Sequence, residues 1–159
     1  MKLLRLAIAG ALALAATVGT AVAAADDFLT IQLKDGPVVI QLMPESAPKH
    51  VAQVKALAAK GAYDNVIFHR VIDGFMAQTG DVKFGKQGGP SFNASRAGTG
   101  GSDLADLPAE FSKTPFERGT VGMARSQSPN SANSQFFIMF DEGPFLNGQY
   151  TVIGKVVSG

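Results

Sequence analysis

The chain has 159 residues, 46% of them hydrophobic, which suits a single domain with a substantial core. A formal charge of +1 supplies no electrostatic case for a nucleic-acid or anionic-membrane partner. With no cysteine, disulfides, thiolate metal sites and a cysteine nucleophile are all excluded.

Residues 1–25 open with Lys2 and Arg5 and continue as an Ala/Leu-rich run that ends in small residues at Ala21, Ala23 and Ala25. This is the three-part pattern of a secretory signal peptide, so export with cleavage after Ala25 is expected and residues 26–159 form the working domain. The run is interrupted by Thr17, Gly19 and Thr20, which argues against a retained membrane anchor. Residues 28–34 alternate apolar and polar and 37–42 form a second apolar run. The Asp35-Gly36 pair between them is a hairpin signal. A helix follows, with Pro48 in its first turn, Ala47, Val51, Val54, Leu57 and Ala58 at three- and four-residue spacing, and Gly61 at its end. Its His50, beside Lys49, is read as solvent-facing.

Strands are predicted over 66–72, 75–79, 120–124, 135–140 and 150–157. Between Gly80 and Asp103 the chain is too polar and glycine-rich for an element and is read as an ordered surface loop. Short strands with one or two helices predict a mainly β domain, and closure into a barrel would remove the sheet edges.

The residues exclude familiar catalysts. Two histidines, His50 and His69, have no metal-ligand spacing, and no G-x-S-x-G elbow occurs. His69 lies in an apolar run and reads as structural. The stretch 98–103 is glycine-rich without the setting of a phosphate loop. No metal or cofactor is expected. Phe75, Met76, Phe136, Phe137, Phe145, Leu146 and Tyr150, taken singly, are ordinary core residues. Arg70 and Gln78 are polar residues where the pattern around them predicts burial.

Three segments, "FHRVIDGFMAQTGD" at 68–81, "GMARSQSPNSANSQFFI" at 122–138 and "PFLNGQYTVIGKVVSG" at 144–159, together resemble the signature segments of cyclophilin-type peptidyl-prolyl cis–trans isomerases. The resemblance runs from about Phe28 to Gly159 and is most similar to bacterial members, with the leader pointing to an exported, periplasmic one. It implies a closed antiparallel β-barrel with a capping helix. The family usually continues past "KVVSG" into a further helix and a last strand, so one sheet edge is expected to be exposed.

The resemblance also implies the site. Arg70 matches the catalytic arginine, while Phe75, Met76 and Gln78 match residues that line the proline pocket and hold the substrate carbonyl. Ala124, Arg125 and Ser126 match a strand end that binds substrate backbone, with arginine where many members carry asparagine. Gln135 and Phe137 match a polar contact and the pocket floor. Phe145 and Leu146 match the outer wall, where well-known animal members have tryptophan, and Tyr150 a position that is histidine there. The last two departures argue against strong cyclosporin binding. The implied partners are proline-containing segments of folding proteins, met by a monomer without nucleic acid or membrane anchor. A non-catalytic X-Pro binding module on the same fold is the alternative.

Overall fold

The computed structural model describes residues 27–159, so the predicted leader lies outside the described residues. Seven strands and one α-helix follow in chain order: β1 (Phe28–Leu33), β2 (Gly36–Leu42), α1 (Pro48–Ala59), β3 (Arg70–Ile72), β4 (Met76–Thr79), β5 (Thr120–Met123), β6 (Phe136–Met139) and β7 (Val152–Ser158). A single 3-10 turn, Pro144–Leu146, precedes β7. All seven strands form one antiparallel sheet in the order β1-β2-β7-β5-β6-β4-β3.

The β1–β2 hairpin forms where it was expected, but its tip is Lys34-Asp35. Leu33 pairs with Gly36, whose φ of 134° suits only glycine. The predicted strand 66–72 is shorter than expected: Val66 makes only an isolated bridge to Lys86, and extended pairing starts at Arg70. As predicted, 80–103 contains no helix or strand, and Gly61 ends α1 at φ 66°.

The sheet curls without closing among the described residues, since β1 and β3 are its two ends. A groove of about 520 Å³ beside these ends is lined by Ile31, Leu33, Phe68, Val71, Ile138 and Val156, among others. Arg70, Val71 and Ile72 are therefore exposed rather than buried, Val71 by 60%. The apolar run around Arg70 predicted a core strand, but β3 has a neighbour on one side only.

Side-chain alternation gives the sheet two apolar layers. One packs Ile40, Leu42, Val121, Met123, Phe136 and Ile153 against Val51 and Val54 of α1. The other comprises Met76, Phe116, Phe137, Met139, Leu146 and Val152.

His50 is corrected by the structure: it is fully buried, and its Nδ1 lies 2.7 Å from Glu110 Oε2. Ala47, at the N-cap of α1, makes no side-chain cap bond, and Pro48 has no N–H to satisfy. The Glu110 carboxylate, about sixty residues away, accepts the backbone N–H groups of Lys49 and His50 at 3.1 Å. A remote carboxylate thus does the work of an N-cap and complements the helix dipole. Burial alone would raise the Glu110 pKa, but the His50 ring and these N–H groups hold it below the usual glutamate value.

Because the folded pKa is depressed, Glu110 contributes stability that is complete above its unfolded value of about 4.3 and lost as pH falls through the lower folded value. Glu110→Ala is expected to cost at least about 1 kcal/mol at pH 7 through loss of the cap alone. Denaturant titrations at pH 7 and pH 3 should show the difference between parent and variant shrinking at the lower pH. A constant difference would show that packing, rather than charge, carries the contribution.

Candidate active site

Strand register sets the site. Arg70 on β3 stands opposite Gln78 on β4, Gln78 opposite Phe137 on β6, and Phe137 opposite Gly122 on β5. Residues directly opposite in a ladder project to one face, so a guanidinium, an amide and a ring form one cross-strand row. Met76, two residues before Gln78, shares that face. Glycine is required at the end of the row: a Cβ at Gly122 would come within 2.6 Å of both Phe116 and Phe137, whose rings stack at 5.7 Å.

A cavity of about 110 Å³ opens over this row, lined by Arg70, Phe75, Met76, Gln78, Ala124, Arg125, Phe137, Leu146 and Tyr150. An apolar cavity of about 150 Å³ accepts benzene, so this one is scaled to a five-membered ring. Met76, Phe137 and Leu146 belong at once to the second core layer and to the cavity wall, so packing holds the floor rigid. Tyr150 meets Phe137 edge to face at 5.7 Å. The Arg70 side chain has no hydrogen bond or ion pair with any described residue, which leaves its five donors available.

A second, more polar cavity of about 410 Å³ adjoins the first and shares Gln78, Ala124 and Arg125 with it. Ser126 and Gln135 line this second cavity and not the first. Phe145, expected on the wall, is 68% exposed and lines neither. It lies in the 3-10 turn with its ring 5.7 Å from Phe75 and braces that residue from outside. All the other residues that the resemblance assigned to the site border one cavity or both.

Reading the sequence missed what holds the amides in place. Gln78 Nε2 donates to Gln135 Oε1 at 2.9 Å, and Gln135 Nε2 donates to the Gly100 carbonyl at 2.7 Å. Gly100 is anchored in turn by Asp81, a fully buried carboxylate that accepts the N–H groups of Lys83, Phe84, Gly98 and Gly100 at 2.8–3.1 Å. Burial alone would raise the Asp81 pKa, but these four bonds hold it below the usual aspartate value. Gly100 has no room for a side chain: a Cβ there would lie 2.6 Å from Asp81 Oδ1. Gly98, at φ 100°, passes against the His69 ring, where a Cβ would lie 2.9 Å from the ring. His69, read from the sequence as structural, is half-buried against this loop, and among the described residues neither ring nitrogen has a hydrogen-bond partner. Its burial, against the pull of Asp81 and with the push of Arg70, holds its pKa below the usual histidine value.

Residues 28–159 match the family described as cyclophilin type peptidyl-prolyl cis-trans isomerase/CLD. The chain belongs to the cyclophilin-type peptidyl-prolyl isomerase family. A Brucella suis protein named "Probable peptidyl-prolyl cis-trans isomerase" is 63% identical across this whole chain, which spans 83% of that protein's length. A peptidyl-prolyl cis-trans isomerase of Arabidopsis thaliana is 42% identical over 76% of this chain and 22% of its own. Among solved structures, a cyclophilin from Hirschia baltica has a TM-score of 0.70 at 29% identity, covering 84% of this chain and 65% of that one. A Cryptosporidium parvum cyclophilin-type isomerase, crystallised in the presence of the dipeptide Ala-Pro, has a TM-score of 0.71 at 32% identity, covering 83% and 79%. The mainly β fold and the isomerase class expected from the three segments are thus both borne out for this cyclophilin-family chain. Among its described residues no helix is long and apolar enough to cross a membrane, and no cluster of three or more acidic, histidine or cysteine residues is placed to hold a metal.

Asp81→Asn keeps one acceptor oxygen and turns an NH2 group toward N–H donors. The variant should lose about 1–3 kcal/mol of stability. Amide exchange at Gly98 and Gly100 should accelerate more than exchange in β5 and β6. Uniform acceleration would mean that the carboxylate stabilises the fold in general and not this loop.

Proposed function

We propose that this protein isomerises X-Pro peptide bonds through a hydrogen bond from Arg70 to the prolyl nitrogen, with the proline ring against the apolar wall of the small cavity. The observation that carries this reading is the cross-strand row: an unpartnered guanidinium beside Gln78 and Phe137, over a rigid floor.

The bond before proline is held planar by resonance, and an ordinary peptide bond resists rotation by about 18–20 kcal/mol. Uncatalysed isomerisation before proline takes roughly 10–100 s at room temperature. Twisting makes the nitrogen pyramidal and restores its lone pair. A hydrogen bond to that lone pair exists only in the twisted state, which is the condition for lowering the barrier. A twisted amide is also less charge-separated than a planar one, so the apolar wall of Met76, Phe137 and Leu146 favours it. Gln78, itself held by Gln135, would keep the carbonyl of residue X in place while the proline side turns.

The magnitudes set the share of each part. A charge-assisted hydrogen bond is worth about 1.5–3 kcal/mol, or roughly one to two powers of ten at about 1.36 kcal/mol per decade. The remainder falls to the apolar pocket and to fixing the carbonyl.

We further propose that the substrates are exported proteins folding outside the cytoplasm. The support is the leader-like pattern of residues 1–25. An intact mass from a secreted or periplasmic fraction should correspond to a chain starting at Asp26, and full-length protein confined to the cytoplasm would reject this part.

Arg70→Ala should lower kcat/KM on a short X-Pro peptide by about 10–100-fold. Its melting temperature should change little, because Arg70 has no partner to lose among the described residues. A folded parent protein that binds the peptide without turnover would instead indicate a binding module. The pH–rate profile should be flat between about pH 6 and 8, since the guanidinium stays charged there. A steep bell in that range would reject the mechanism.

A further inference from the structure

The two cavities share one charged residue, Arg125, and its surroundings are unusual for a cation. Nε and Nη2 donate to the Gln149 carbonyl at 3.3 and 2.8 Å, and Nη1 donates to the carbonyls of Ser126 and Gln127 at 2.9 and 3.2 Å. The guanidinium also lies 4.4 Å from the centre of the Tyr150 ring. These neighbours fix its position and none carries a negative charge. Arg70 on the same cavity is likewise without a carboxylate, and no acidic residue lines that cavity. Two positive charges, one of them held in place, therefore face a space of about 110 Å³ in a protein that is almost neutral as a whole.

The direction of the peptide follows from the row. Gln78, which takes the carbonyl of residue X, borders both cavities, whereas Arg70 borders only the proline cavity. The chain before the proline therefore leaves over Gln78, Ala124 and Arg125 toward the second cavity. That cavity has one carboxylate, Asp106, whose Oδ1 accepts Asn133 Nδ2 at 3.0 Å. Its negative charge disfavours an acidic side chain deep in that cavity, so the complementary position is the shared rim.

Resting on the reading of the small cavity as the proline site, we propose that Arg125 is a specificity-determining residue that selects X-Pro segments with an acidic side chain immediately before the proline. Its charge is held by backbone carbonyls, so it is available to a substrate carboxylate without breaking an ion pair first. Replacing it by a neutral residue would leave only the Arg70 charge on the proline side.

The test compares two short peptides that differ only in Glu or Gln before proline, with uncatalysed rates subtracted. In the unmodified protein kcat/KM should favour the Glu-Pro peptide by about twofold to fivefold at low salt, the range of a partly screened charge pair. Raising salt from about 0.02 M to about 0.5 M should erode the ratio, because the Debye length falls severalfold. Arg125→Gln should bring the ratio close to one, and Arg125→Glu should invert it. The ratio is taken within each variant, so a general loss of activity does not affect it. Turnover of both peptides at equal kcat/KM would overturn the selectivity and leave the isomerase reading intact. If the folded protein turned over neither peptide, the isomerase reading would fail. Dissociation constants of the same pair would then decide the selectivity, equal values overturning it.

Discussion

The buried carboxylate of Asp81 is the constraint on which the site depends. Four backbone N–H groups from a long glycine-rich loop converge on two oxygens, and among the described residues Asp81 has no ion-pair partner. A carboxylate so enclosed persists only because each donor is aimed at it, and removing the charge would leave those donors unsatisfied. The loop has no strand or helix of its own to fix its path, so these bonds fix it. They fix Gly100 above all, whose carbonyl sets Gln135, which sets Gln78. The orientation of one amide in the small cavity is thus decided by an aspartate that lines neither cavity.

A second constraint works from below. The cross-strand row of Arg70, Gln78, Phe137 and Gly122 is a consequence of register alone, and a slip of one residue would turn each side chain to the opposite face. The interlocked Phe116, Phe137 and Gly122 resist such a slip, because the two rings need the space that a glycine leaves. Core packing and site geometry are the same contacts, made on one face of the sheet.

Much of this was legible in the sequence. Alternation and turn chemistry marked the β1–β2 hairpin, three- and four-residue spacing marked α1, and the three segments shared with cyclophilins located most of the cavity lining. What escaped has physical reasons. Arg70, Val71 and Ile72 read as core because composition cannot distinguish an edge strand from a central one. His50 was placed on the wrong face although it falls in step with Ala47, Val54 and Leu57; its polarity outweighed its position, and its partner Glu110 is remote in sequence. Phe145 points outward because neighbours in a tight 3-10 turn diverge in direction, a difference invisible in the pair Phe145-Leu146. Asp81 gave no sign at all, since its partners are backbone groups that any sequence supplies.

The sharing of Gln78, Ala124 and Arg125 between the two cavities has a thermodynamic consequence. Gln78 is already held by Gln135 and Arg125 by backbone carbonyls, so the ordering cost of this common wall is met in folding, before anything occupies either space. A segment that spanned both spaces would therefore meet one preformed boundary rather than having to order two.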